Sequence, residues 1–291
     1  MSTRTQGKHS RAIGIHVSIS KGVNLAVSRA LEVGCLGTFQ IFTSSPRRWA
    51  APKLVTEQAV EFKTKSSANG FVPVAHMPYM PNLSSPDPDF YKQSVEVLIR
   101  EIGRCDELGI GKLVLHFGSP KDTSMEEGHA RVVEACKRAI SETPSSKVKM
   151  LLETSSGSRN SIGSRFEYIR KVLEKIGSSE RSGVCFDTCH VFGSGYDIRT
   201  TEGARKTISE FDRIVGISRL YLIHINDSKG GLGEGMDRHE HIGLGQIGMR
   251  GFRAMFEIDE ISHIPFVLET PIDSVRDDKQ DVAVARKLEG I

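Results

Sequence analysis

The 291-residue sequence predicts a single α/β domain folded as a (β/α)8, or TIM, barrel. Three observations carry that expectation. Eight short apolar runs alternate with eight segments of helical period. The runs start roughly 25 to 45 residues apart, the spacing of βα units. No Gly-rich dinucleotide fingerprint or phosphate loop follows the first run, which counts against an open nucleotide-binding sheet. Eight units in about 280 residues suit a closed barrel better than a doubly wound sheet.

In chain order the runs are AIGIHVS (12–18), TFQIFTS (38–44), PVAHMP (73–78) and KLVLHFGS (112–119). They continue as KMLLETSS (149–156), GVCFDTC (183–189), LYLIHIND (220–227) and PFVLETP (265–271). Each has the length and the β-branched or aromatic content of a strand. Most are apolar nearly throughout, as parallel strands covered by helices must be. The clearest helix lies between the third and fourth runs. In DFYKQSVEVLIREIGRCDELG, residues Val95, Leu98, Ile99, Ile102 and Cys105 recur at i, i+3, i+4, i+7 and i+10, and Gly109 reads as the stop. Segments 23–33, 56–69, 126–142, 163–176, 203–215, 251–262 and 275–288 are the other expected helices, the last being the most polar.

Composition bounds the function. Residues 1–11, MSTRTQGKHSR, are polar and basic with no apolar stretch, so they read as a flexible tail rather than a secretory signal, with His9 solvated in it. The barrel then occupies residues 12–291. No run approaches the roughly 18 apolar residues of a membrane span. Five cysteines, an odd count without a tight pattern, argue for a reducing compartment such as the cytoplasm. Cys35, Cys105 and Cys136 sit in apolar contexts and read as core filling. A net charge of +3 permits a polyanionic partner without demanding one.

Chemistry gathers where the strands stop. The first run carries His16, the third His76, the fourth His116 and the fifth Glu153; the sixth ends at Asp187 with His190 beyond it. The seventh carries His224 and Asp227, and the eighth Glu269. In a barrel these C-terminal ends share one mouth. That many ionisable groups in a mouth of low dielectric would be costly unless divalent metals compensate them. The loop after the seventh run adds Asp237 and His239, two residues apart, which with His190 make a compact His2Asp set. Imidazole and carboxylate donors without thiolate suit catalytic zinc, with manganese or iron as substitutes. Cys185 and Cys189 lack a second thiolate pair and read as packing residues.

At these residues the chain resembles the endonuclease IV family of zinc-dependent apurinic/apyrimidinic endonucleases. FDTCH (186–190), HINDSK (224–229), DRHEHIG (237–243) and VLET (267–270) are the most specific pieces, and the likeness runs from about residue 12 to the last helix. The resemblance implies a (β/α)8 barrel with three zinc ions at its mouth. By motif, His76 and His116 hold the first ion, with Glu153 bridging to the second; Asp187, His224 and Glu269 complete the second; His190, Asp237 and His239 hold the third. It implies hydrolysis of the phosphodiester 5′ to an abasic site in duplex DNA by a metal-bridged hydroxide, leaving a 3′-hydroxyl and a 5′-deoxyribose phosphate. Removal of 3′-blocking groups is an implied second activity. Glu153, Glu269 and Asp187 act through metal rather than as an acid/base pair.

DNA contacts are expected on the same face. FTSSPRRWAAP, after the second strand, offers Arg47 and Arg48 for phosphates and Trp49 as an insertable plane; the third strand's loop offers Tyr79 and Met80. Lys229 is a further phosphate contact. The sequence departs from the family pattern at Met77-Pro78, Phe117 and Thr154-Ser155, none of them a ligand but all placed to shape the pocket. A monomer is expected. Two competing readings remain. A divalent-metal sugar isomerase or epimerase on a xylose-isomerase-like barrel would have no use for the set His190, Asp237 and His239. A non-catalytic damage-binding protein would have lost ligands.

Overall fold

The computed structural model describes residues 11–290. Its parallel strands are β1 (Ile13–Ile15), β2 (Gln40–Phe42), β3 (Val74–His76), β4 (Lys112–Leu115), β5 (Lys149–Glu153), β6 (Ser182–Asp187), β7 (Leu220–His224) and β8 (Phe266–Leu268). Hydrogen bonding runs continuously from β2 through β7 to β8 and β1, and a parallel bridge between His16 and Gln40 closes the ring. Helices α1 (Leu25–Glu32), α2 (Thr56–Ala68), α3 (Pro88–Leu108), α4 (Met125–Glu142), α5 (Phe166–Ile176), α6 (Thr188–Gly193), α7 (Thr201–Ile214), α8 (Gly248–Phe256) and α9 (Asp278–Glu289) follow the strands.

The helices obey local chemistry. Asp87 caps α3 by accepting from Phe90 N at 2.9 Å, Pro88 opens it, and Gly109 ends it in the left-handed region. A reciprocal capping box of Ser124 and Glu127 starts α4. Two features depart from expectation. The helix expected over 251–262 starts at Gly248, stops at Phe256 and gives way to a 3-10 turn at Asp259–Ile261. The short helix α6 occupies the end of what reads as a continuous strand, because Asp187 both closes β6 and caps α6 through His190 N at 2.8 Å.

Alternation along the strands sorts side chains into two layers. One set, including Ile13, Ile41, Leu113, Leu152, Phe186 and Phe266, packs outward against the helices. The other, Val74, Val114, Leu151, Cys185, Leu222 and Val267, fills the barrel's interior and is fully buried. His76, His116, Glu153, Asp187, His224 and Glu269 each stand two residues beyond a member of that interior set. An apolar plug thus supports a polar ring, and Cys185 belongs to the plug. All five cysteines are free and buried.

Of the expected tail, only Arg11 lies within the described residues, and it belongs to the folded domain. It is buried, its guanidinium stacks 4.1 Å from the Phe266 ring centre, and it pairs with Glu289. His9 lies outside the described residues. Among the described residues no helix is long and apolar enough to cross a membrane.

Candidate metal centre

The nine expected ligands meet at the mouth. Glu153 is central: Oε2 lies 3.2 Å from His76 Nε2 and 3.6 Å from His116 Nε2, while Oε1 lies 2.8 Å from His224 Nδ1. His224 Nδ1 also lies 3.2 Å from Glu269 Oε2 and 3.9 Å from Asp187 Oδ2. On the far side, His190 Nε2 meets Asp237 Oδ1 at 2.9 Å, and His239 Nε2 lies 3.9 Å from the same oxygen. Asp187 Oδ2 is 3.7 Å from His239 Nε2, so Asp187 stands between the second and third sets rather than within the second alone.

Among the described residues three groups of nitrogen and oxygen donors are each compact enough for one cation: His76, His116 and Glu153; Glu153, Asp187, His224 and Glu269; Asp187, His190 and His239. Asp237 stands beside the third group with its side chain 46% exposed, facing the opening. Cys185 Sγ lies near Glu153 and His224, but burial in the plug pushes its thiol pKa up to about 12, which disfavours the thiolate a metal needs.

Partners behind the ring fix which atoms face it. His76 Nδ1 is 2.6 Å from the Met77 carbonyl, His190 Nδ1 2.8 Å from the Thr154 carbonyl and His239 Nδ1 3.0 Å from the Glu269 carbonyl. A carbonyl only accepts, so each Nδ1 carries the proton and each Nε2 presents a lone pair to the site. His224 is reversed, Nε2 donating to Gln40 Oε1 at 2.9 Å and Nδ1 facing inward. His239 Nε2 is buried with no hydrogen-bond partner. An orphaned imidazole nitrogen among carboxylate oxygens is a donor waiting for a cation, and this nitrogen–oxygen set fits zinc, manganese or iron.

The electrostatics agree. Burial opposes charge on His224 and His190, yet nearby acidic groups outweigh it and raise both pKa values well above the usual imidazole range. Burial likewise opposes ionisation of Glu153, but His116, His224 and His76 pull its pKa well below the ordinary carboxylate value. Glu269 falls to about 2, chiefly because His224 and His76 overcome its burial. Without a cation, protons on the histidines neutralise the carboxylates; a cation would displace them.

Sequence reasoning missed several supporting residues. Gln40 donates Nε2 to Glu269 Oε1 at 2.5 Å while accepting from His224. Asn226 donates to Asp187 Oδ2 and accepts from Glu269 N, both at 2.7 Å. Asp227 is buried and accepts from the backbone N–H groups of Ser228, Gly243, Gly245, Ile247 and Gly248, reeling in the loop that carries Asp237 and His239. The same loop forms a two-residue antiparallel ladder, His239–Glu240 against Asp227–Ser228. His241 is anchored to Asp281 and Asp273. Asp227 was legible as a strand-end acid, though not as the loop's anchor, and Gln40 as a polar residue at an inward position of an apolar run.

His16 contributes no atom to the three donor groups. Its ring packs tilted against Phe42, with centres 4.3 Å apart, and sits beside Gln40. The departures from the family pattern stand behind the ligands: Phe117 is buried in the outer layer, Thr154 Oγ1 accepts from Asp187 N at 2.8 Å, and Met77 is buried. A cavity of about 310 Å³ opens above the ring, lined by Tyr79, His116, His190, Asp237, His239 and Glu269.

The expected DNA contacts are unequally placed. Tyr79 is 59% exposed, its ring packed on Phe42 and His76, and Met80 beside it is partly exposed. Arg47 and Arg48 are not buried, and both reach solvent. Trp49 is not a free blade: it is half-buried, packing edge-on against Phe90 at 5.0 Å. Lys229 is exposed and lies 3.8 Å from Glu240.

Comparison with known proteins completes the picture. A family described as the xylose isomerase-like TIM barrel matches residues 27–288. A protein of Methanoculleus marisnigri named probable endonuclease 4 is 45% identical over 279 residues, covering 96% of this chain and 99% of its own. The crystal structure of endonuclease IV from Thermus thermophilus superposes with a TM-score of 0.84 at 31% identity, covering 95% of this chain and 98% of the other. An E. coli 3-keto-D-glucoside 4-epimerase shares the fold alone, with a TM-score of 0.68 at 14% identity, covering 97% and 100%.

Proposed function

This chain belongs to the endonuclease IV family, and on that premise we propose that it hydrolyses the phosphodiester 5′ to an abasic site in duplex DNA, leaving a 3′-hydroxyl and a 5′-deoxyribose phosphate. The protein is a metal-dependent DNA-repair endonuclease; the cut position, the products, the identity of the metal and a count of three per chain are the finer reading. Removal of 3′-blocking groups is proposed as a second activity. The observation that carries the reading is the set of His190, Asp237 and His239, joined to the other six ligands through Asp187. A sugar epimerase has no evident use for it, and the epimerases that resemble this chain do so only in fold.

His76, His116 and Glu153 would hold one ion, Glu153, Asp187, His224 and Glu269 a second, and His190, Asp237 and His239 a third. Bound zinc supplies an acidified water near neutral pH and positive charge for the phosphoryl oxygens. The chain's own residues orient and exclude. Gln40 and Asn226 hold the Glu269 carboxylate and backbone, and the carbonyls of Met77, Thr154 and Glu269 set the histidine tautomers. Tyr79 and Met80 stand at the opening, where they would wedge beside the unpaired sugar; extruding that nucleotide costs least where pairing is already lost. Arg47, Arg48 and Lys229 would meet phosphates, while Trp49 anchors the arginines' loop to the body. The proposal is of a monomer working on DNA in the cytoplasm, a compartment that suits five free, buried cysteines.

The test is a duplex oligonucleotide with one reduced abasic analogue, which cannot undergo lyase cleavage, incubated with the zinc-loaded protein without added magnesium. A cut immediately 5′ of the lesion with a 3′-hydroxyl is expected. No cut by fully loaded protein would move the assignment to sugar isomerisation.

A further inference from the structure

Helix α3 turns three charged side chains towards the loop between β2 and α2. Glu101 is fully buried, and its carboxylate accepts from Thr43 Oγ1 and from Ser44 Oγ, the latter at 2.9 Å. Arg104, itself buried, donates Nε to the Thr43 carbonyl at 3.1 Å and Nη1 to the Pro52 carbonyl at 2.7 Å. Arg100 donates Nη1 to the Trp49 carbonyl at 2.7 Å and places Nη2 3.3 Å from Glu101 Oε1. These bonds fall at Thr43, Ser44, Trp49 and Pro52, the two ends of the segment that displays Arg47 and Arg48. Among the described residues the segment's own backbone contributes one hydrogen bond, Arg48 N to Ser45 O at 3.4 Å.

A loop with so little internal bonding takes its shape from the helix beneath it. Burying the Glu101 carboxylate and the Arg104 guanidinium adds little stability over well-packed apolar side chains, and its gain is conformational uniqueness. A free loop would have to be ordered on binding, and that entropy would weaken the complex. We propose that Glu101 is a positioning residue for DNA binding: with Arg100 and Arg104 it holds residues 43–52 in the DNA-ready shape, so that Arg47 and Arg48 meet phosphates at no ordering cost. This rests on the reading that the loop meets DNA.

The experiment compares Glu101→Gln, Arg47→Ala and the double variant in steady-state nicking of abasic duplex, alongside thermal unfolding. Glu101→Gln should raise KM by about tenfold while kcat changes by less than about twofold. The double variant should be little worse than Glu101→Gln alone, because arginines on a disordered loop no longer contribute. The salt dependence of KM should become shallower as phosphate contacts are lost. Arg100→Ala, on a half-exposed side chain, should show the same KM effect and serves if Glu101→Gln does not fold. A lowered Tm with unchanged KM, or effects that multiply with those of Arg47→Ala, would overturn the proposal. Failure of the functional reading is separate: wild type would not nick, or Arg47→Ala alone would leave KM unchanged.

Discussion

Glu269 is a proposed ligand whose backbone N–H and side chain are both held by amides, from Asn226 and Gln40. Glu269→Gln keeps the shape and loses the charge. It should lower nicking by about 100-fold or more while leaving affinity for abasic DNA within a few-fold. Full activity in that variant would break the ligand assignment. Gln40→Ala removes the group that orients both His224 and Glu269, and about 10- to 100-fold weaker zinc binding is expected in a competition titration. Unchanged zinc affinity would make Gln40 a bystander. At this scale the sequence was legible where a residue type declares its chemistry. His and Glu at strand ends announce a metal; an amide such as Gln40 or Asn226 works by joining residues distant in sequence, and its type alone does not declare that role. Trp49 is the converse case. Its type suggests a blade, and only Phe90, distant in sequence, reveals an anchor.

At the scale of elements, spacing carried the reading. Each run expected as a strand forms one, but the last residues of each run leave the ladder, and those of the sixth enter α6. Helix α6 escaped notice because one side chain, Asp187, ends a strand and starts a helix without an intervening loop. The loop after β7 was readable as a source of candidate ligands, yet nothing in DRHEHIG tells how it is held. That depends on Asp227, which gathers N–H groups up to 21 residues away. Asp227→Ala should strand those donors and destabilise the protein by on the order of 3 kcal/mol. It should also abolish the proposed third metal site, so that metal analysis of the purified variant finds one ion fewer. An unchanged metal content would show that the loop shapes itself.

The whole molecule should titrate in opposite senses with and without metal. In the metal-free protein, His190 and His224 have pKa values raised well above 6.5. Their acidic contacts therefore stabilise the fold fully below about 6.5 and fade as pH rises through the folded values. Glu153, lowered well below 4.5, contributes above about 4.5 and loses that contribution as pH falls through its folded value. Both contributions coexist between about 4.5 and 6.5, so chelator-treated protein should melt highest there and decline towards alkaline pH. Loaded protein should do the reverse across that range, since ions need neutral imidazoles and protons compete for them. A metal-free Tm rising steadily to about pH 9 would contradict the pairing of these groups. The barrel and its mouth were legible because alternation and spacing are global signals. The polar scaffolding behind the mouth was not, because it joins residues far apart in sequence.

Asp187 gives one oxygen to the His190 amide that starts α6 and turns the other towards His224 and His239. Backbone and a bound cation would thus pull on one carboxylate. Filling the site would clamp that group, and the first turn of α6 would be clamped with it. Deuterium uptake at His190–Gly193 should then slow sharply when zinc is added, even without DNA, which would make those amides a gauge of occupancy. Partly loaded protein would show two exchanging populations rather than one average, and the repair-competent fraction of a preparation could be read from the chain itself.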